Sequence, residues 1–140
     1  METLFGLSIQ QPWLDMIIRG IKTMELREKE AKRRGIVALH APWKIDFSAA
    51  YFYGYENPWR MHRGKILAVA DISDVYELDV LTWQGFLEQH RQPIPFADGS
   101  FGIALKNVRV LDRPVACRGK PWFFPLPAAV AERVGTAAHL

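Results

Sequence analysis

Hydrophobic and polar positions divide the chain into short segments. Residues 4–9 form an apolar run of strand length. Pro12 comes next, suited to the first turn of a helix, where its missing N–H leaves nothing unpaired. Trp13, Met16, Ile17 and Gly20 recur at helical spacing, and Leu14 and Ile18 widen the stripe. Gly20 stands where helices commonly close on a left-handed residue. From Lys22 the period changes to two. Thr23, Glu25 and Arg27 alternate with Met24 and Leu26, which predicts a second strand carrying Glu25 and Arg27 on one face.

Residues 28–34 read as a charged turn, and the nearly continuous apolar run over residues 35–41 predicts a buried strand that Pro42 ends. Asp46 is placed to cap a short helix over residues 47–53. Residues 51–64 mix aromatics with Gly, Asn and Pro, the composition of an ordered loop. Residues 65–76 begin as a buried strand and turn polar at Asp71, Ser73 and Asp74. Thr82 is expected to cap a helix reaching His90, with Phe86 and Leu87 on its buried side. A Pro-containing loop over residues 92–99 leads to a strand over residues 100–111, and Pro114 and Pro125 bracket a last short strand at residues 122–124. Residues 130–140 read as a frayed helix or tail. Five to six strands with two or three short helices predict an α+β domain around a mostly closed sheet; a doubly wound sheet would need longer helices.

At 140 residues the chain makes one domain, 1–140, with a core that needs no staples. Its single cysteine, Cys117, excludes an intrachain disulfide framework and a cysteine-based zinc site, and fits a reducing cytoplasm. No basic leader and no membrane-length apolar run is visible, so a cytoplasmic protein without membrane association is expected. The histidines at 40, 62, 90 and 139 show no paired-ligand spacing, so neither a metal nor a cofactor is expected. No phosphate-binding glycine loop is present, and Ser8 and Ser100 lack a nucleophile-elbow context.

Charge adds a partner class. The net charge is +3 and the sequence pI about 9.2, a mild basic bias. Its distribution says more: Lys29, Lys32, Arg33 and Arg34 form one cluster, and Arg60, His62, Arg63 and Lys65 another. Such runs track phosphates when they border a groove and are otherwise solvated loops. Trp13, Trp43, Tyr55 and Trp59 are able to stack a base or pack a core; the helical phase of Trp13 suits a core, whereas Tyr55 and Trp59 interleave with Arg60 and Arg63. Lys22, at a helix–strand junction, is either a phosphate ligand, a desolvated base, or a surface lysine. Glu25 and Arg27 either orient a ligand or form an exposed ion pair, and His40 is an acid–base group or a satisfied core histidine.

The motif LSIQQPW at residues 7–13, followed by GIKTMELR at residues 20–27, resembles the ASCH domain. This activating-signal-cointegrator homology module of the PUA-like superfamily opens with LSI-x-QPW and then G-x-K-x-x-E-x-R. Arg34-Gly35 ahead of the strand ending His40-Ala41, and FGIALKNVRVLDRPVACRG over residues 101–119, extend the resemblance to most of the chain. It implies a small PUA-like mixed β-barrel with short helices packed across its ends. ASCH-like proteins include RNA binders, ribonucleases and amidohydrolases acting on acetylcytidine. The amidohydrolases resemble G-x-K-T-x-T-x-R; here Lys22, Thr23 and Arg27 match, and Glu25 replaces the second threonine. The expectation is therefore an RNA-binding domain that holds a nucleotide or short single-stranded RNA in a cleft floored by Lys22, Glu25 and Arg27. Trp13 or Trp59 would stack the base, and Lys32, Arg33, Arg34, Arg60 and Arg63 would hold phosphates. The alternative is a metal-independent ribonuclease or a nucleoside amidohydrolase. The ribonuclease would use Lys22, Glu25, Arg27 and His40, with Glu25 as base and His40 or Tyr55 as acid, whereas the amidohydrolase would need Glu77 or Glu88 as a further acid–base partner.

Overall fold

The computed structural model describes residues 3–140. The first apolar run becomes strand β1 (Phe5–Ser8), and the QPW segment leads into helix α1 (Trp13–Ile18), which buries Trp13, Leu14, Met16 and Ile17. β2 (Met24–Arg27) and β3 (Gly35–Ala41) follow. Asp46 caps α2 (Phe47–Phe52) by accepting the Ala49 N–H, as its side-chain chemistry predicts. A short 3₁₀ turn (Pro58–Arg60) precedes β4 (Lys65–Glu77).

Three boundaries differ from the sequence reading. Asp79, not Thr82, caps the next helix. Thr82 is its reciprocal partner, and the two exchange side-chain and backbone hydrogen bonds in a capping box. The expected single helix is two, α3 (Val80–Gly85) and α4 (Leu87–His90), broken at Phe86. β5 (Phe101–Ala116) runs five residues past Leu111 and through Pro114. Its partners in β4 jump from Ile66↔Val115 to Ala68↔Val110, so Pro114 lies in a bulge where its missing N–H breaks no ladder bond. β6 (Phe123–Pro125) pairs with β1, and of the two expectations for the C-terminal residues it is the helix that forms, α5 (Ala128–Ala137), with Val134 and Ala137 buried.

The six strands form one curled, half-barrel sheet in the order β2–β5–β4–β3–β1–β6. The β1–β3 pair is parallel and the others antiparallel, so the fold is α+β as expected. One apolar cluster, centred on Leu7, Ile9, Met16, Leu39 and Ile103, fills the space between the sheet and α1. A second, around Ile66, Val69, Phe124 and Val134, seats α5. The C-terminal ends of β1 and β3, the start of α1 and strand β2 thereby converge on one end of the half-barrel. No helix among the described residues is long and apolar enough to cross a membrane.

Candidate nucleic-acid interface

The GIKTMELR segment is shaped by its glycine. Gly20 takes φ +77°, and the N–H groups of Ile21 and Lys22 both return to the Met16 carbonyl, at 3.0 and 3.2 Å. This closes α1 abruptly and turns Lys22 into the protein. Lys22 is 1% exposed. Its ammonium donates to the His90 carbonyl at 2.6 Å, lies 3.5 Å from Glu25 Oε1 and sits 4.7 Å from the centroid of the Trp13 ring. Burial pushes the amine below the ordinary lysine value, with Glu25 opposing the shift. Lys22 is therefore neither a surface lysine nor a cleft-facing phosphate ligand; it braces Glu25 and Trp13 from behind.

In front of that brace lies a cleft of about 470 Å³. Glu25 and Arg27 form its floor, two residues apart on one face of β2 as period two requires. Glu25 Oε2 accepts from Arg27 Nε at 3.2 Å and Nη2 at 3.0 Å, and Arg27 Nη2 also donates to the Ser8 carbonyl. One wall is the edge of Trp13, whose indole N–H donates to Asp46 Oδ2 at 3.0 Å, fixing the ring to the start of α2. The exposed ammonium groups of Lys44 and Lys120 stand at the rim, with the amides of Gln10 and Gln92.

The opposite wall is residues 119–122. Ser8 and His40 secure it. The Ser8 hydroxyl is 2.8 Å from the Lys120 carbonyl and 3.1 Å from His40 Nδ1, while His40 Nε2 is 2.7 Å from the Cys117 carbonyl. The carbonyl at Nε2 must accept, so that nitrogen carries the proton in the neutral ring. Burial lowers the pKa of His40 and the Cys117 carbonyl opposes it. Gly119 lies so close that a Cβ there would sit 2.4 Å from His40 Cε1. The wall ends in Trp122, at φ +76°. A bulky side chain in the left-handed region costs on the order of 1–3 kcal/mol and persists only where its surroundings over-determine it. The Trp122 ring lies 5.7 Å from the Arg27 guanidinium and packs edge-on against Phe123.

Of the residues expected from sequence, the cleft brings together Glu25, Arg27 and Trp13, with Lys22 behind the floor and His40 behind the wall. Trp59, half-exposed, and Arg60 and Arg63 lie on the Pro58–Arg60 turn and the loop after it, outside the cleft lining. Lys32 pairs with Glu30, Arg33 stacks 3.1 Å over the Phe5 ring and Arg34 caps nearby carbonyls. Glu77 and Glu88 are exposed and not in the cleft lining. Tyr55 donates to Asp15 at 2.7 Å in a separate depression, and burial with Asp15 raises its pKa. Sequence reasoning missed Trp122, Lys120 and Lys44 as cleft residues. The GKPW segment carried the usable signal: turn residues beside a cation and an aromatic in an aperiodic stretch, the same composition that singled out residues 51–64. Among the described residues no group of three His, Cys, Asp or Glu side chains is gathered to hold a metal.

Known proteins match the chain at the level of family and fold. The family model for the ASCH domain matches residues 7–123. The crystal structure of ASCH from Zymomonas mobilis is similar over 96% of this chain and 94% of that one, with a TM-score of 0.68 and 12% identity. A tyrosine-to-phenylalanine mutant of the Zymomonas protein is similar over 96% of this chain and 98% of that one, with a TM-score of 0.67 and 12% identity. At such identity the likeness concerns the fold. No curated protein matches the sequence. The half-barrel has the PUA-like fold, and with the family pattern running from Leu7 in β1 to Phe123 in β6, the chain belongs to the ASCH domain family.

Proposed function

We propose that this domain binds single-stranded RNA and holds one nucleotide in the cleft above Glu25 and Arg27. ASCH domains are generally RNA-binding, and the observation that carries the finer reading is Trp122. A strained tryptophan, set beside an arginine in a cleft with lysines at its rim, is a stacking surface fixed in place before ligand arrives. The base stacks along Trp122 and Arg27, its polar edge meets Glu25 and the Gln10 and Gln92 amides, and Lys44 and Lys120 take the flanking phosphates.

The arrangement favours binding over cleavage. Attack by the RNA 2′-hydroxyl needs a free base and a free acid at the reacting atoms. Glu25 Oε2 is already occupied by Arg27, Lys22 is sealed beneath the floor, His40 is buried behind the wall with Nε2 bonded to the Cys117 carbonyl, and Tyr55 is turned toward Asp15.

The test is an anisotropy titration of labelled single-stranded RNA, run with chelator. Trp122→Ala and Arg27→Gln should each weaken binding about tenfold or more, as loss of a stacking or charge-assisted contact implies. Wild-type affinity in both variants, with folding checked by circular dichroism, would overturn the reading. RNA cleavage that Glu25→Gln abolishes would replace it with the ribonuclease reading.

A further inference from the structure

One exposed tryptophan is unexplained by packing. Trp43 is 70% exposed, yet its ring is pinned from several directions. Its indole rests on Gly64 so closely that a Cβ there would lie 2.7 Å from Nε1 and 2.9 Å from Cε2. Gly64 is itself fixed, at φ +67°, donating to the Ala41 carbonyl at 2.6 Å and accepting from the Cys117 N–H at 3.1 Å. The Arg63 guanidinium lies 5.1 Å from the Trp43 ring centroid. The same guanidinium donates to the Trp43 carbonyl at 3.2 Å and to the Trp59 carbonyl at 2.9 Å, so it ties two exposed tryptophans together.

We infer that Trp43, clamped by Arg63 and Gly64, is a second stacking platform that receives the nucleotide next to the one in the cleft. The inference rests on the RNA-binding reading of that cleft. Two observations select a nucleic-acid strand as occupant. The platform adjoins the cleft: Pro42 and Lys44, on either side of Trp43 in the chain, both line it, and the indole lies just outside that lining. The ground beside it is basic on balance: Lys44 adjoins Trp43, Arg63 lies over its ring and Lys65 follows Gly64 beneath it, against Asp46 and Glu56 as the acidic residues of that stretch. An exposed, immobile indole bordered by cations is what a sequence-tolerant strand contact requires, since every base has a face to stack. Arg63 has a different role from a phosphate contact. Its Nη1 and Nη2 each give an N–H to a backbone carbonyl while the guanidinium covers the indole, which makes it a positioning residue for the ring.

The experiment is a length series, from a mononucleotide to a hexanucleotide RNA, titrated against wild type, Trp43→Ala, Trp43→Phe and Arg63→Ala. The mononucleotide fills only the cleft, so all four proteins should bind it alike. The longer strand should bind wild type about tenfold more tightly than the cleft alone does, from one added stacked base. Trp43→Ala should lose that gain and Trp43→Phe keep most of it. Arg63→Ala should lose it with an unchanged salt slope, because no phosphate contact is removed. Equal length dependence in wild type and Trp43→Ala would overturn the inference. So would sedimentation showing that Trp43→Ala dissolves a wild-type dimer while RNA affinity stays the same, which would make this face a contact between copies. Failure of the cleft reading looks different: no mononucleotide binding, whatever the longer strand does.

Discussion

Lys22→Met removes the ammonium beneath the cleft floor and keeps most of the side-chain volume. Two consequences follow from the geometry. The His90 carbonyl loses its 2.6 Å donor inside the protein, and an unsatisfied buried acceptor costs about 1–3 kcal/mol. Glu25 Oε1 loses the cation at 3.5 Å, while Oε2 keeps Arg27 at 3.0 Å. Breaking a buried pair outright costs about 3–5 kcal/mol, but here the carboxylate retains one partner and the cost of burying the ammonium disappears. The net expectation is a loss of about 2–4 kcal/mol, read from urea denaturation at neutral pH. The pH dependence supplies a second arm. Burial holds the folded Lys22 pKa below the ordinary lysine value of 10.5, so over that window the unfolded chain keeps a proton the folded chain has released. Wild-type stability therefore rises with pH through this residue, and the gap to Lys22→Met should widen as pH climbs toward 10.5. A loss under about 0.5 kcal/mol, the range of surface substitutions, or a gap that narrows as pH rises, would refute the buried brace.

Three further outcomes follow. Trp13→Ala should cost about 3–5 kcal/mol, because its ring is 5% exposed, whereas Trp59→Ala, at 51% exposed, should leave the thermal midpoint nearly unchanged. His40 and His90 both have pKa values lowered by burial from 6.5, so stability should fall as pH drops through that value. Each contributes at most about 1.4 kcal/mol per pH unit, and a denaturation series on His40→Asn should show a shallower acid limb than wild type. Gly119→Ala should destabilise the cleft wall and weaken RNA binding, since the new Cβ would meet His40 at 2.4 Å; an unaffected titration would show that the wall does not contact ligand.

The sequence made the local architecture legible wherever one period dominated. The switch from helical spacing over Trp13–Ile18 to alternation over Met24–Arg27 located α1 and β2, and placed Glu25 and Arg27 side by side in the cleft. It could not tell that Lys22 faces inward, because that depends on how Gly20 closes the helix and on α4 arriving with the His90 carbonyl, 68 residues later in the chain. Boundaries failed where a rule about one residue met a tertiary exception. Pro114 reads as a strand terminator, but a bulge opposite Leu67 absorbs it. The far wall of the cleft was legible only as the composition of a loop, for a related reason. Trp122 becomes a site residue only through a backbone conformation that Ser8, His40 and Arg27 impose from three different strands. Local propensity argues against that conformation for any bulky residue.

Five tryptophans give five indole N–H resonances, and they provide an internal map of where RNA sits. Trp13 and Trp122 line the cleft, whereas Trp83 is buried against His90 and Phe96, outside the cleft lining. In an NMR titration with a short single-stranded RNA, the indole signals of Trp13 and Trp122 should shift to saturation together while Trp83 stays fixed. Saturable RNA binding that leaves both cleft indoles unmoved would contradict the account.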